Sequence, residues 1–441
     1  MDYLRPRLLE QPVSTRQPDE EGTSALVEHF FRHESGRLVS ILARVFGLRN
    51  LDLVEDMVQS ALLEALQSWR TQGVPENPSA WLHRVARNKM HDALRHRETV
   101  LRLAPSWARL RPQFSEPEFD DLFLESEIED SQLRLIFACC HPALARENQI
   151  ALTLKSLCGF SNAEIARGLL LSEETVKKRI QRARQQLGVQ NIDIEVPRAD
   201  ELACRLDSVH QCLYLMFNEG YASTSGETAI RLDLCEEAAR LCHLLCGHSH
   251  CPSPASFALL ALMLFHAARF DGRTDEQGRL LLLEDQDRTK WDQQLIARGR
   301  DFLDRSAEGK SISRFHLEAG IALLHCSAAS FAETDWPGIL RLYDALLRVQ
   351  PSPVYQLNRA IVLAHVEGPA AAIAIIEILA DDPSLQHYHL INAALGELYR
   401  RSGNLDRARF YFERARNGTT SRHEQALLDR RLAGCVAVPS T

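Results

Sequence analysis

Between Ser161 and Leu187 the sequence reads SNAEIARGLLLSEETVKKRIQRARQQL, and its apolar residues recur at spacings of three and four. That periodicity dictates helices, here two of them joined by a tight turn. Ile165, Ala166 and Leu169 form the apolar stripe of the first. Ser172 supplies an N-cap for the second, with Glu173 and Glu174 in the first turn, where the helix dipole favours acids. Val176, Ile180, Ala183 and Leu187 make the buried face. The opposite face carries Lys177, Lys178, Arg179, Arg182 and Arg184, so residues 172–187 hold five bases against two acids. This is the layout of a helix-turn-helix whose second helix enters a DNA major groove. A solvated amphipathic helix is the plain alternative, and the capped turn with its one-sided charge favours DNA.

The same periodicity runs through the whole chain, and strand-like alternation is nearly absent, so the expected class is all-α. At 441 residues there is room for two or three domains with real cores. No run of eighteen or more apolar residues occurs, so no membrane span is expected. Residues 1–23 lack a signal-peptide core and read as disordered. Eleven cysteines without regular spacing suit reduced thiols in a cytoplasm better than a disulfide framework.

A net charge of −8 seems wrong for a DNA binder until it is divided. Residues 191–441 hold 26 Lys/Arg and 33 Asp/Glu, and residues 1–190 hold 25 and 26. Eight of those acids fall in EPEFDDLFLESEIED (116–130), which has no base. Without that segment the first half carries a net +7. The cationic character is local.

Part of it lies in a second basic helix, PSAWLHRVARNKMHDALRHR (78–97). Trp81, Leu82, Val85, Ala86, Met90 and Leu94 form its expected buried stripe. Arg84, Arg87, Asn88, Lys89, Arg95 and Arg97 face outward. The helix before it, DLVEDMVQSALLEALQSW (52–69), is amphipathic and is expected to expose Asp52, Glu55, Asp56, Gln59 and Glu64. An acidic helix followed by a basic one suggests a protein partner for the first and nucleic acid for the second.

D-L-V-E-D-M-V-Q, then W-L-x-x-V-A-R-N-x-x-x-D-x-L-R, then V-K-K-R-I-Q-R-A-R in a helix-turn-helix resembles the extracytoplasmic-function (ECF) sigma factors of bacterial RNA polymerase. LRLIFACCHPAL (133–144), LYLMFNEGYASTSGE (213–227), LLALMLFHAARF (259–270), LLLLEDQDRTKWD (280–292) and ETDWPGILRLYDALLRVQPSP (333–353) extend the likeness to the group with a long C-terminal tetratricopeptide-like extension. The resemblance implies a region 2 helical bundle at 24–98, an acidic linker at 99–130, a region 4 helix-turn-helix at 131–190 and a helical-repeat extension at 200–435. Within the extension, Leu395, Gly396, Tyr399, Gly403, Ala408, Phe412 and Ala415 fit the repeat pattern. Segments 317–350 and 353–380 look like degenerate copies, and three hairpins of similar length favour stacking.

The resemblance also implies roles. Asp52, Glu55, Asp56 and Gln59 would dock on the β′ coiled coil of core polymerase, with Leu62, Leu63 and Trp69 in support. The loop Glu76–Ser79 would hold a base extruded from the −10 element, at a cost of a few kcal/mol that protein contacts must offset. Trp81, Arg84, Arg87, Asn88, Lys89 and Arg95 would contact the strand and its phosphates. Thr175, Lys178, Arg179 and Arg182 would read the −35 element, with Lys177 and Arg184 on phosphates. The acids of 116–130 would imitate a transcript in the RNA channel, against the plainer reading of a solvated tether. The extension would work with region 4 and offer a surface for a peptide or protein partner.

Cys242, His243, Cys246, His248, His250 and Cys251 tempt a zinc reading, but the spacing matches no usual structural pattern, so no metal and no cofactor is expected. Cys139, Cys140 and His141 read as core packing. The run Leu283–Arg288 reads as a polar helix-junction network. No nucleophile triad, carboxylate pair or Gly-rich phosphate loop stands out, so no enzyme is expected. The rival functions are a one-component regulator, which would not need the acidic docking helix, and an interaction scaffold, which leaves two basic helices unexplained.

Overall fold

A computed structural model describes residues 20–101, 125–221 and 232–435, apart from 170, 191, 193, 198, 249–252, 310, 383, 384, 386 and 387. Residues 1–19, the acidic run as far as Leu124, and His250 and Cys251 therefore lie outside the described residues. All extended elements are helices. Among the described residues no strand forms, and Thr274 and Leu280 make an isolated antiparallel bridge. The chain divides into two compact units at Met216.

In the first unit, α1 (Glu20–Phe46), α2 (Leu51–Gln72) and α3 (Pro78–Leu101) close around one core. Leu38, Ile41, Leu42, Val54, Val58, Ala61, Ala65, Leu82, Ala86 and Met90 are fully buried there. Their spacing of three and four is what draws the three amphipathic faces together. Gly73 ends α2 with φ +84°, a left-handed conformation that a Cβ would strain. Trp81, Val85 and Leu94, expected in the buried stripe, are only half-buried.

Four shorter helices follow: α4 (Glu125–Cys139), α5 (Arg146–Ser156), α6 (Asn162–Gly168) and α7 (Glu173–Val189). The last part of the acidic run is thus helix rather than linker. Arg44 of α1 explains it, pairing with Glu127 at 2.9 Å and Asp130 at 3.1 Å. Cys139 and Cys140 are fully buried, as core packing requires.

Helix α8 (Ala199–Tyr221) begins inside the expected extension, yet its first part belongs to the first unit. Val209 and Leu213 are fully buried, and Arg205 donates to the Phe137 carbonyl at 2.8 Å. A cut near residue 195 would strip a core helix from the first unit.

The second unit contains α9 (Leu232–Gly247), α10 (Pro254–Ala267), α11 (Gln293–Ser306) and α12 (Arg314–Ser327). Then come α13 (Trp336–Val349), α14 (Pro353–Val366), α15 (Pro369–Leu379), α16 (His389–Arg401), α17 (Leu405–Gly418) and α18 (Arg422–Ala433). From α12 to α17 they pair as the three hairpins expected. Gly396 marks a close approach within the last of them, since a Cβ there would sit 2.6 Å from the Phe412 ring. Tyr399 ties this hairpin to the one before it by donating to Glu377 of α15 at 2.6 Å. The stretch Pro254–Gly272 is long and apolar enough to cross a membrane, but 72% of it is buried, which fits a core helix.

The first unit depends on one bare backbone contact. A Cβ on Gly36 of α1 would lie 1.8 Å from the carbonyl oxygen of Leu157, just after α5. A backbone oxygen cannot swing aside as a side chain does. Gly36→Ala should therefore destabilise the unit by about 1–3 kcal/mol, read as a lower urea midpoint. A midpoint equal to wild type would show that α1 and α5 can separate freely.

Candidate nucleic-acid and polymerase interface

The helix-turn-helix is fixed by two caps. Ser161 and Glu164 form a reciprocal capping box at the start of α6, with bonds of 2.7 and 3.2 Å. The Ser172 hydroxyl accepts from the Thr175 amide at 3.2 Å and lies 2.8 Å from the Thr175 hydroxyl. Val176, Ile180, Ala183 and Leu187 are all buried, as their spacing predicts. Lys177, Lys178 and Arg182 stand exposed, with Arg179 and Thr175 half-exposed beside them. Lys178 pairs with Glu174 at 2.7 Å, but both are exposed, so the pair is weak. These cations form an exposed face suited to a polyanion.

Arg184 does not join that face. It is turned toward α2, where it reaches Glu55 at 2.6 Å and also contacts Asp52. Glu55, expected on the surface, is buried at 7% exposure, and its second oxygen accepts from Ser156 of α5 at 2.7 Å. One carboxylate is satisfied from both α5 and α7, which is why it can be buried. Asp52, Asp56 and Gln59 remain exposed. Leu63 and Leu66, at 58% and 40% exposure, extend this side of α2 as apolar surface. A cleft of about 700 Å³ lies here, lined by Asp52, Glu55, Asp56, Lys177 and Arg184 among others.

On α3, Arg84, Asn88 and Arg95 are exposed, and Arg87 and Lys89 half-exposed. Lys89 pairs with Glu64 of α2 at 2.8 Å. Trp81 packs edge-on against Trp69 at 5.6 Å, and Trp69 stacks on Phe31. In the loop before it, the Asn77 side chain accepts from the Ala80 amide at 3.0 Å, so it caps the helix. Behind the helix lies a pair that its spacing gave no reason to expect: His83 against Glu34, 3.4 Å apart, with Arg37 nearby. Burial works against the Glu34 carboxylate, but the His83 contact and the Arg37 charge outweigh it and hold its pKa below the usual range.

No group of three or more His, Cys, Asp or Glu able to hold a metal occurs among the described residues. Cys242 and Cys246 are buried in α9, and the Cys242 thiol points to the Ser256 carbonyl at 3.5 Å. The Leu283–Arg288 run forms junctions, with Glu284 on Arg431 and Arg288 bonded to the carbonyls of His325 and Ala328.

Residues 30–100 match the Sigma-70 region 2 family and residues 134–187 the Sigma-70 region 4 family. The chain belongs to the extracytoplasmic-function sigma factors. It is 26% identical to RNA polymerase sigma factor CarQ of Myxococcus xanthus, over 40% of this chain and 97% of that one. Against ECF RNA polymerase sigma factor SigG of Mycobacterium tuberculosis the identity is 25%, over 41% of this chain and 54% of that protein. Residues 205–307 match a family of unknown function, DUF6596. An uncharacterized protein of Rhizobium meliloti is similar along nearly the whole length, with 37% identity over 89% of this chain and 92% of that one. No solved structure matches. As an alternative sigma factor the protein binds core polymerase, recognises −35 and −10 elements and starts transcription.

In this sigma factor the two halves of the machinery share one ion-paired carboxylate. Glu55→Leu leaves Ser156 without its acceptor and Arg184 with only the exposed Asp52, and should cost about 3 kcal/mol. Adding Arg184→Leu should recover part of that loss, because the stranded charge goes with it. Strictly additive losses in urea titrations would show that the pair is not coupled.

Proposed function

We propose that this sigma factor reads the −35 element with the α7 face Thr175, Lys177, Lys178, Arg179 and Arg182, and opens the −10 element with α3 through Trp81, Arg84, Arg87, Asn88, Lys89 and Arg95. The observation that carries this reading is that the cations of α7 point outward from a doubly capped helix-turn-helix. Each groove contact removed by Arg179→Ala plus Arg182→Ala should cost about 1–3 kcal/mol in −35 affinity. Arg87→Ala plus Lys89→Ala should instead impair strand opening with duplex binding kept. Normal permanganate reactivity at −10 in the second variant would refute that division.

Polymerase docking falls to the part of α2 that stays exposed: Asp52, Asp56 and Gln59, with Leu63 and Leu66 beside them. Glu55 serves a different end. Bonded to α5 and α7, it holds the docking helix against the −35 reader, and Arg184 also contacts the exposed Asp52. The contact is a clasp that opens when the β′ coiled coil takes its place on α2. Asp56→Lys plus Gln59→Lys should abolish co-purification with core polymerase while the helical circular-dichroism signal is retained. Undiminished binding by that variant would favour a one-component regulator instead. Arg184→Gln, which weakens the clasp, should bind core more tightly than wild type.

The helical hairpins of the second unit suit a peptide or protein partner, and the factor works in the cytoplasm with no membrane anchor and without catalysing a reaction of its own. The extension is needed for transcription. Its test is a truncation after Tyr221, which leaves α8 in place; a shortened protein more active than the full chain would make the extension a lid.

A further inference from the structure

Three arginines of the second unit share a neighbourhood in which, among the described residues, no carboxylate pairs with them. The guanidinium carbons of Arg269 and Arg288 lie 5.2 and 4.8 Å from the centre of the Trp291 ring, and that of Arg273 lies 3.7 Å over Tyr221. Arg273 donates to the Tyr221 carbonyl at 2.7 Å. Arg288 donates to the carbonyls of His325 and Ala328 at 2.7 Å and to the Thr334 hydroxyl at 3.2 Å. Aromatic faces and carbonyls are good partners for those two. Arg269 has less. It is 9% exposed, makes one long hydrogen bond to Gln286 at 3.3 Å, and its Nε has no partner.

Among the described residues, none of the three has a carboxylate within ion-pair distance. Elsewhere in the unit such charges are paired, Arg400 with Glu397 and Arg431 with Glu284. Three more buried polar atoms around Arg269 lack partners: Nδ1 of His266, Nδ1 of His325 and Nε1 of Trp291. Burial, then the charge of Arg269 and its neighbours, pushes both imidazoles down to about 3, so neither adds a proton nor supplies an anion. Gly272 lets the backbone sit against Trp291 Nε1, where a Cβ would come within 2.7 Å. A buried cation without a counter-charge costs several kcal/mol, and the two half-buried guanidiniums beside Arg269 add to that cost. A fold carries such a cluster when something anionic completes it.

We propose that the cluster centred on Arg269 is a binding site for a phosphate-class oxyanion, free or carried by a small metabolite. Three guanidiniums exceed what one carboxylate neutralises. The partnerless Nε of Arg269, beside an Nη2 held only by the long bond to Gln286, offers the two-pronged donor geometry that phosphate oxygens accept. Nothing in promoter reading or polymerase docking uses these residues, so the inference stands apart from the function proposed above.

The test is thermal unfolding and calorimetric titration of the full chain at constant ionic strength, with inorganic phosphate, a sugar phosphate, acetate and chloride. Phosphate at about ten times its dissociation constant should raise the unfolding temperature by about 2–5 °C, with saturation. Arg269→Met should lose that rise, and without phosphate it should be at least as stable as wild type, because an uncompensated charge is gone. Should that variant not fold, Arg269→Lys keeps the charge but loses the fork, and should bind phosphate at least tenfold more weakly. Tighter binding of the sugar phosphate would identify a metabolite, and tighter binding of inorganic phosphate the free ion; either supports the site. A wild-type rise no greater than with chloride, a rise that persists in Arg269→Met, or unchanged affinity in Arg269→Lys would overturn it.

Discussion

The carboxylate of Glu55 organises the DNA-reading half of this sigma factor. It accepts hydrogen bonds from the Ser156 hydroxyl and the Arg184 guanidinium, so α2, α5 and α7 meet at one buried charge. A lone carboxylate could not be buried there, and two donors make it tolerable. Gly36 supplies the second condition, because only a residue without a Cβ lets α1 come up to the carbonyl of Leu157. Electrostatics and bare backbone contact thus act at neighbouring points of the same junction.

Local chemistry made most of the fold legible. The buried stripe of α7 follows from its 3.6-residue period alone, and Ser172 caps it as its position before two acids predicts. The repeat pattern around Gly396 and Phe412 gave the hairpins, since small residues opposite aromatic ones have a packing reason. What stayed hidden was pairing across distance. Glu55 looked exposed because it sits among acids on α2; its partners lie 101 and 129 residues away. Arg184 looked like one more phosphate contact for the same reason. Periodicity assigns a residue to a face, but it does not say what covers that face.

The limits of the two halves escape the local sequence for a related reason. The Pro-containing stretch after residue 190 looks like a domain break, yet the helix beyond it returns Val209 and Leu213 to the first core. The acids at the end of the 116–130 run look like solvated tether, yet Arg44 draws Glu127 and Asp130 into ion pairs at the start of α4. In both cases composition predicted the local chain and a partner from elsewhere overrode it.

The clasp also has to be weak enough to open. Arg184 keeps 22% of its side chain exposed and Asp52 keeps 71%, so water can enter as α7 leaves, and the Asp52 contact adds little. If closing is favoured by about 2 kcal/mol, some 3% of molecules are open at any time, and apparent affinity for core polymerase drops about thirtyfold. A fully dry pair worth twice as much would cost about a thousandfold and leave the factor unable to compete for core. Partial exposure of Arg184 suits the proposed clasp, which must stay closed alone and yet open at the cost of one partner's binding energy.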